Sequence, residues 1–229
     1  MMKRKTRTMI MVMAAGFVLL WYAGGSDAQS YLATGADAEV TEDGLHRVDQ
    51  SIIRAAWVRL DLDLTGYTKI FFLPTNVDFR EIAEQVRVAR IRDNESHFAV
   101  SEARQDRLRE QWGRILYEDL SEIDSYEMFD SVGRDVLMVQ GRLVDVASGV
   151  PPEVAGSGST AVLYPWEASI VLELRDSMSD ELLARAVERR RLQGPIDITA
   201  IEALTGTMLR RWSALLCNWL EELSDLREP

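Results

Sequence analysis

The clearest pattern in the chain lies in residues 166–175, with the sequence WEASIVLELR. Apolar side chains recur at every second position, at Trp166, Ala168, Ile170, Leu172 and Leu174. Polar side chains stand between most of them, at Glu167, Ser169, Glu173 and Arg175. Successive side chains of a strand point to opposite faces, so this period of two predicts an antiparallel strand with one buried and one solvated face.

Neighbouring segments extend this strand into a sheet. The turn 176–180 leads into a second apolar run at 182–192, and the two runs predict a β-hairpin. Residues 136–146 (VLMVQGRLVDV) are rich in β-branched residues and predict a further strand. Residues 69–73 (KIFFL) predict a short buried strand. The segment 74–100 has no clear period, although Val77 and Phe79 allow that strand to continue.

Two segments show the three- and four-residue spacing of amphipathic helices. The first follows Ser101, a candidate N-cap, and its apolar positions are Leu108, Trp112, Ile115, Leu116, Leu120 and Ile123. The second spans about 199–225, with an apolar arc of Ile201, Leu204, Met208, Trp212, Leu215, Leu216, Trp219, Leu220 and Leu223. Cys217 lies away from that arc, so we expect it outside the central core. One-sided strands and helices must bury one another, which predicts an α+β domain: a mainly antiparallel sheet of about five strands with both helices on one face.

Residues 1–28 have the three parts of a secretory signal peptide. A positive n-region at 3–7 precedes the apolar run 9–23, and small residues lead to a cleavage site between Ala28 and Gln29. An uncleaved anchor is the alternative, although a spanning helix needs about 20 apolar residues. No cysteine follows the run, so we do not expect a lipoprotein. The expected mature protein is periplasmic or secreted, with a flexible leader at 29–50 and one globular domain at 51–229.

Composition excludes several classes of protein. The 229 residues include 26 Lys and Arg against 37 Asp and Glu, a formal net charge of −11. Nucleic-acid binding needs clustered cations, so we do not expect it. An apolar content of 47% argues against a disordered chain. Cys217 is the one cysteine and is interpreted as an unpaired structural residue, an intermolecular thiol being the alternative.

The sequence assembles no catalytic, cofactor or metal motif. His46 and His97 have no neighbouring nucleophile motif, and zinc-ligand, Walker and dinucleotide-binding spacings do not occur. The Gly-Ser run at 156–159 is interpreted as a flexible connection between strands. We therefore predict no catalytic, cofactor-binding or metal-binding residue.

Acidic residues leave one enzymatic alternative open, because a glycosidase needs only two opposed carboxylates. Asp61 and Asp63 form the nearest pair and are interpreted as a solvated turn. Asp119 falls on the apolar arc of the first helix and is interpreted as a carboxylate at the core edge rather than a functional acid.

Four arginines lie close together near the end of the second hairpin strand, at Arg185, Arg189, Arg190 and Arg191. Alternation places all but Arg190 on one face of that strand. We interpret them as cross-strand partners of Glu167 and Glu173. A binding surface for an acidic partner is the alternative.

The order of several short motifs resembles a bacterial family. In the first half these are Asp43-Gly44-Leu45, Arg47-Val48-Asp49, Ala56-Trp57-Val58-Arg59 and Leu64-Thr65-Gly66-Tyr67. In the second half they are Glu173-Leu174-Arg175-Asp176 and Leu182-Leu183-Ala184-Arg185. Over roughly residues 42–225 they are similar to the exported family called domain of unknown function 3313. The resemblance implies a cell-envelope protein, often a lipoprotein, without established catalytic residues; this chain departs in having no lipobox cysteine.

The leading hypothesis is a non-enzymatic binding or accessory protein of the periplasm, whose partner is another envelope protein or a second copy of itself. The alternative is a periplasmic hydrolase that uses paired carboxylates. If residues 9–23 stay uncleaved, the chain becomes a bitopic membrane protein instead.

Overall fold

The structure, a computed structural model, describes residues 39–82, 97–150, 161–197 and 200–225. Two helices cover one face of an eight-stranded sheet, which confirms the α+β class. The expected signal peptide and its cleavage site, the first part of the leader, and the Gly-Ser run at 156–159 lie outside the described residues.

The strands, in chain order, are β1 (His46–Arg47), β2 (Ala55–Val58), β3 (Lys69–Phe72), β4 (Asn76–Phe79), β5 (Glu127–Phe129), β6 (Val136–Ser148), β7 (Ala161–Val162), β8 (Trp166–Asp176), β9 (Leu182–Arg191) and β10 (Ile196–Asp197). The helices are α1 (Glu102–Ser121) and α2 (Ile201–Asp225). The main sheet has the order β1-β2-β9-β8-β6-β3-β5, and β4 also pairs with β6. β7 and β10 form a separate antiparallel pair.

The predicted hairpin forms the middle of the sheet. β8 pairs antiparallel with β9 on one side and with β6 on the other, and Leu172 lies opposite both Ala186 and Gly141. These three residues share the face that the helices cover. Charged neighbours such as Glu173 and Arg185 share the opposite face, which we call the open face.

The sheet differs from the expected one in strand number and direction. β3 runs parallel to both β5 and β6, and β4 runs parallel to β6. The chain passes through α1 between β4 and β5, and a strand–helix–strand crossover returns it in the same direction. β3 and β4 lie along successive parts of β6 on either side of Pro74, so the continuation through Val77 and Phe79 is confirmed.

Both helices pack on the same face, as predicted. A Cβ atom added to Gly141 would lie 2.0 Å from Leu116 Cδ2 of α1, so helix and sheet are in direct contact there. Trp166 lies an even number of residues from Leu172 in β8 and therefore shares its face of the sheet. The Trp166 indole N–H donates to Thr205 Oγ1 of α2 at 3.0 Å. The hydroxyl of that threonine therefore satisfies the polar atom of a fully buried tryptophan.

Cys217 and the leader segment differ from expectation. Cys217 is only 6% exposed and belongs to the core, because α2 contacts α1 as well as the sheet and so buries a second face. Burial raises the pKa of its thiol to about 12. Residues 39–50, assigned to the flexible leader, contribute β1 and the buried Leu45 and Val48 to the domain.

Candidate functional site

The arginines of β9 pair with carboxylates of β8 on the open face, as predicted. Arg185 Nε lies 2.9 Å from Glu173 Oε1, and Arg191 Nε lies 2.6 Å from Glu167 Oε2. Arg189 also donates to Glu167. The strand register brings these residues face to face, since Glu173 lies opposite Arg185 and Glu167 opposite Arg191.

Glu167 is the buried centre of this arrangement. It is 2% exposed, and Arg80 Nη2 adds a third cation at 3.4 Å from Oε1. Burial opposes ionisation, but the hydrogen bonds from Arg189 and Arg191 prevail and lower the pKa of the Glu167 carboxyl. An ionised carboxylate is thus held in place by cations that reach it from two segments of the chain.

A bulge in β6 brings a second carboxylate to the same place. The register with β8 shifts between Val144 and Ala147, and Asp145 has a positive φ of 58°. Its Oδ1 accepts a hydrogen bond of 2.7 Å from Arg80 Nε, which lowers the pKa of Asp145. His97 lies beside Arg80, and burial together with that positive charge lowers the pKa of its imidazole.

We call Arg80, Asp145, Glu167, Arg189 and Arg191 the open-face cluster. Its charges are paired internally, because each carboxylate lies within ion-pair distance of more than one arginine. Glu167 alone among these five is fully buried, and Arg189 and Arg191 are the most exposed of them, with side-chain exposures of 59% and 44%. The cluster is therefore chiefly a structural network.

A groove of about 400 Å³ opens between the end of β9 and α2. Its apolar wall consists of Leu192, Met208, Trp212 and Leu215, and its basic rim of Arg190 and Arg211, with Gln193 at one end. Arg191 also lines it, but the guanidinium group of that residue lies on the open face against Glu167. We call it the arginine groove. A cavity of this volume, with an apolar wall and a few convergent charges, has the usual character of a binding site.

Among the described residues, the end of β9 beside this groove has no strand on its outer side. β2 pairs with β9 only from Ala184 to Val187. The Leu192 N–H donates to the Trp166 carbonyl of β8, so the alternate residues Arg189 and Arg191 direct their backbone groups away from β8. Within the ranges that the structure describes, no group is hydrogen-bonded to them there. We call this stretch the free edge of β9.

The candidate acids lie elsewhere. Asp61 is 72% exposed and bound to Arg59, with Nε to Oδ1 at 2.9 Å. Asp63 accepts a hydrogen bond of 2.9 Å from the Thr65 N–H, so both residues belong to a solvated turn, as interpreted. Asp119 is half-buried on α1, close enough for its charge to act on the Cys217 thiol.

The histidines are separated from one another by the sheet order. His46 lies in β1 at one edge, whereas His97 adjoins the open-face cluster. In the described part of the chain, no group of three or more His, Cys, Asp or Glu is placed to hold a metal ion. No helix in these ranges combines the length and apolar character needed to cross a membrane.

The β9 arginines were predictable from the sequence, whereas Arg80, Asp145 and Arg211 were missed. The first two reach the site only through β4 pairing with β6 and through the bulge, which leave no local signal. Arg211 does leave one: it interrupts the apolar arc of α2 next to Trp212 and is preceded by a second arginine.

Comparison with known proteins gives only remote likenesses. No family model and no curated protein matches the chain. A PelC dodecamer structure from Paraburkholderia phytofirmans is similar at 6% identity and a TM-score of 0.30, over 64% of this chain and 85% of that chain. Protein XCC0632 from Xanthomonas campestris (DUF330) is similar at 10% identity and a TM-score of 0.36, over 72% and 94%. A Helicobacter pylori homolog of a neuraminyllactose-binding hemagglutinin is similar at 11% identity and a TM-score of 0.38, over 70% and 86%. Likenesses this remote do not transfer a function, so the functional argument rests on the residues of this chain.

Proposed function

We propose that this is a non-enzymatic binding protein of the bacterial cell envelope, which holds an acidic partner in the arginine groove. The observation that carries the proposal is the groove itself, where Arg190 and Arg211 border an apolar wall. Buried apolar contacts would supply affinity, and the guanidinium groups would select negative charge.

The charges around the groove support an acidic partner. The chain as a whole carries −11, so a concentration of arginines is a local exception. Arg190 has a partner in Glu188, with Nε to Oε1 at 3.4 Å, and Arg191 is bound to Glu167. Arg211 is exposed and has no ion-pair partner among the described residues. It is the cation most available to an incoming carboxylate or phosphate.

Location in the envelope is the second part of the proposal. It is supported by the signal-peptide pattern of residues 1–28, which predicts export and a mature chain beginning at Gln29. Membership of the exported family known as domain of unknown function 3313 belongs to the same proposal, and its support is the order of the short motifs between residues 42 and 225.

Site-specific photo-cross-linking in living cells tests the proposed function. A photoreactive amino acid at Gln193 lies in the groove, and the same amino acid at Met178 lies at the opposite end of the hairpin, where the side chain is exposed. We expect one discrete cross-linked product from position 193 and none from position 178. Equal labelling from both positions, or no product from either, would overturn the proposal. Mass spectrometry of the purified protein should give an N-terminus at Gln29.

A further inference from the structure

Resting on the proposed function, we infer that the part of the partner that enters the arginine groove is an extended acidic peptide, which adds to the free edge of β9 as a further strand. The groove then holds one row of the peptide's side chains, while the edge holds its backbone. Three features of the described residues lead to this: the unpaired backbone groups of β9, the path of the segment before β2, and the different surroundings on the two faces of the edge.

The free edge offers hydrogen bonds to a backbone. Arg189 and Arg191 are two residues apart, and the N–H and C=O groups of both point away from β8. Such a row is a template for another strand, and extended peptides bind exposed sheet edges in this way. The main-chain hydrogen bonds fix the peptide's direction and register, whatever its sequence.

The segment before β2 leaves this edge open. β2 pairs with β9 up to Ala55, which lies opposite Val187. The chain then turns away, because the Arg54 N–H donates to the Glu188 carboxylate at 2.8 Å. Farther on, the Ile52 N–H lies 3.3 Å from a carboxylate oxygen of Glu222 on α2. No described segment therefore pairs with Arg189 and Arg191 on this side, and an incoming strand there would continue the line of β2.

The two faces of the edge favour an alternating sequence. On the helix side an added strand would meet the apolar wall of the groove, which favours apolar side chains, and at its rim Arg211, whose exposed guanidinium group has no ion-pair partner among the described residues. On the open side it would meet the exposed guanidinium groups of Arg189 and Arg191, which favour carboxylates. Because strand side chains alternate between faces, the matching peptide has acidic and apolar residues in turn.

A small amphiphilic anion is the competing occupant of the groove. It would use Arg211 and the apolar wall, but it has no row of amides for the free edge. Blocking the backbone amides of the ligand therefore distinguishes a peptide from a small anion, and this test requires no change to the protein.

Two isomeric probes test the inference on the purified full-length protein. The parent probe is a labelled peptide of about eight residues, a usual strand length, with alternating Glu and Val. One isomer is N-methylated on every Glu amide and the other on every Val amide; both keep the charge and the side chains. Since one set of amides faces β9 and the other faces solvent, we expect one isomer to bind as the parent does and the other to lose affinity by roughly tenfold or more.

Other outcomes would overturn the inference. Equal affinities for the two isomers, or no binding of the parent peptide, would exclude strand addition. Displacement of the parent by laurate, with equal isomers, would identify the groove as a site for a small amphiphile. A dimer in solution that cross-links at Gln193 to its own copy would make a second copy of the chain the occupant. Cross-linking from Gln193 in cells, together with equal affinities for the two isomers, would overturn strand addition but leave the proposed function standing. Different affinities for the two isomers, without any cross-linked product in cells, would refute the partner in the envelope instead.

Discussion

The open-face cluster and the arginine groove both contain arginines and adjoin each other at the end of β9, but the surroundings of these arginines differ. In the cluster, Arg189 and Arg191 converge on Glu167, which is buried and lies directly opposite in β8. In the groove, Arg211 stands beside an apolar wall with no carboxylate partner among the described residues. The number of arginines does not distinguish the two sites, whereas the positions of the carboxylates do. The first arrangement stabilises the sheet, and the second is available to a partner.

Removing the central carboxylate of the cluster is expected to have the largest effect. Glu167→Ala leaves Arg80, Arg189 and Arg191 facing one another around a buried space. We expect the free energy of unfolding to fall by about 2–4 kcal/mol, somewhat less than for a fully buried pair because the arginines reach solvent. Urea denaturation measures it. Glu118→Ala is the control, since its ion pair with Arg114 on α1 is solvent-exposed and its loss should cost under about 0.5 kcal/mol. Similar losses for the two variants would contradict a structural role for the cluster.

The helix-covered face depends on packing instead of charge. Gly141→Ala forces a methyl group against Leu116 and Trp112, so we expect destabilisation of about 1–3 kcal/mol in the same urea measurement. Gly206→Ala on α2 is the matched control, because nothing lies within 4 Å of the added atom. It should stabilise the protein by roughly 0.5–1 kcal/mol through helix propensity. A neutral Gly141→Ala would mean that α1 does not pack on the sheet as described.

As the pH falls, we expect the ion pairs of the open-face cluster to weaken before the apolar packing of the helix-covered face is affected. The pKa values of Glu167 and Asp145 are lowered in the folded protein, so their ionised forms favour folding above the pKa of the unfolded chain. This stability is lost as the pH falls below about 4, through the folded-state values. We expect urea midpoints to fall over this range, and to fall less steeply in Glu167→Gln. Parallel pH profiles for the two proteins would show that Glu167 does not titrate with folding.

The physical origin of each feature explains how far the sequence could predict it. The hairpin was predictable because apolar side chains recur at every second position of residues 166–175, and both helices because their apolar stripes are long. The prediction of a solvated face was wrong, since ion pairing and neighbouring strands bury Glu167, Val171 and Glu173 as well. The parallel pairing of β3 with β6 was not, since strand direction depends on a crossover far away in the chain. Cys217 is buried because α1 covers a second face of α2. A helical wheel of α2 alone cannot show this contact.

The candidate site was likewise predictable from the sequence only in part. The pairing of Arg185, Arg189 and Arg191 with Glu167 and Glu173 follows from hairpin register, and it was predicted correctly. The arginine groove needs the end of β9 and the middle of α2 to meet. Two local patterns, each with an ordinary structural explanation, meet in the fold to form the proposed binding surface.

A charge-swap binding experiment tests most directly whether the groove selects an acidic partner. Arg211→Glu and Arg210→Glu change the net charge equally, but only Arg211 lines the groove. We expect Arg211→Glu to weaken binding of the alternating Glu and Val peptide and to strengthen binding of its Lys and Val counterpart, while Arg210→Glu leaves both affinities close to those of the unaltered protein. Equal responses of the two variants would show that net charge alone attracts the peptide, and would contradict a selective groove.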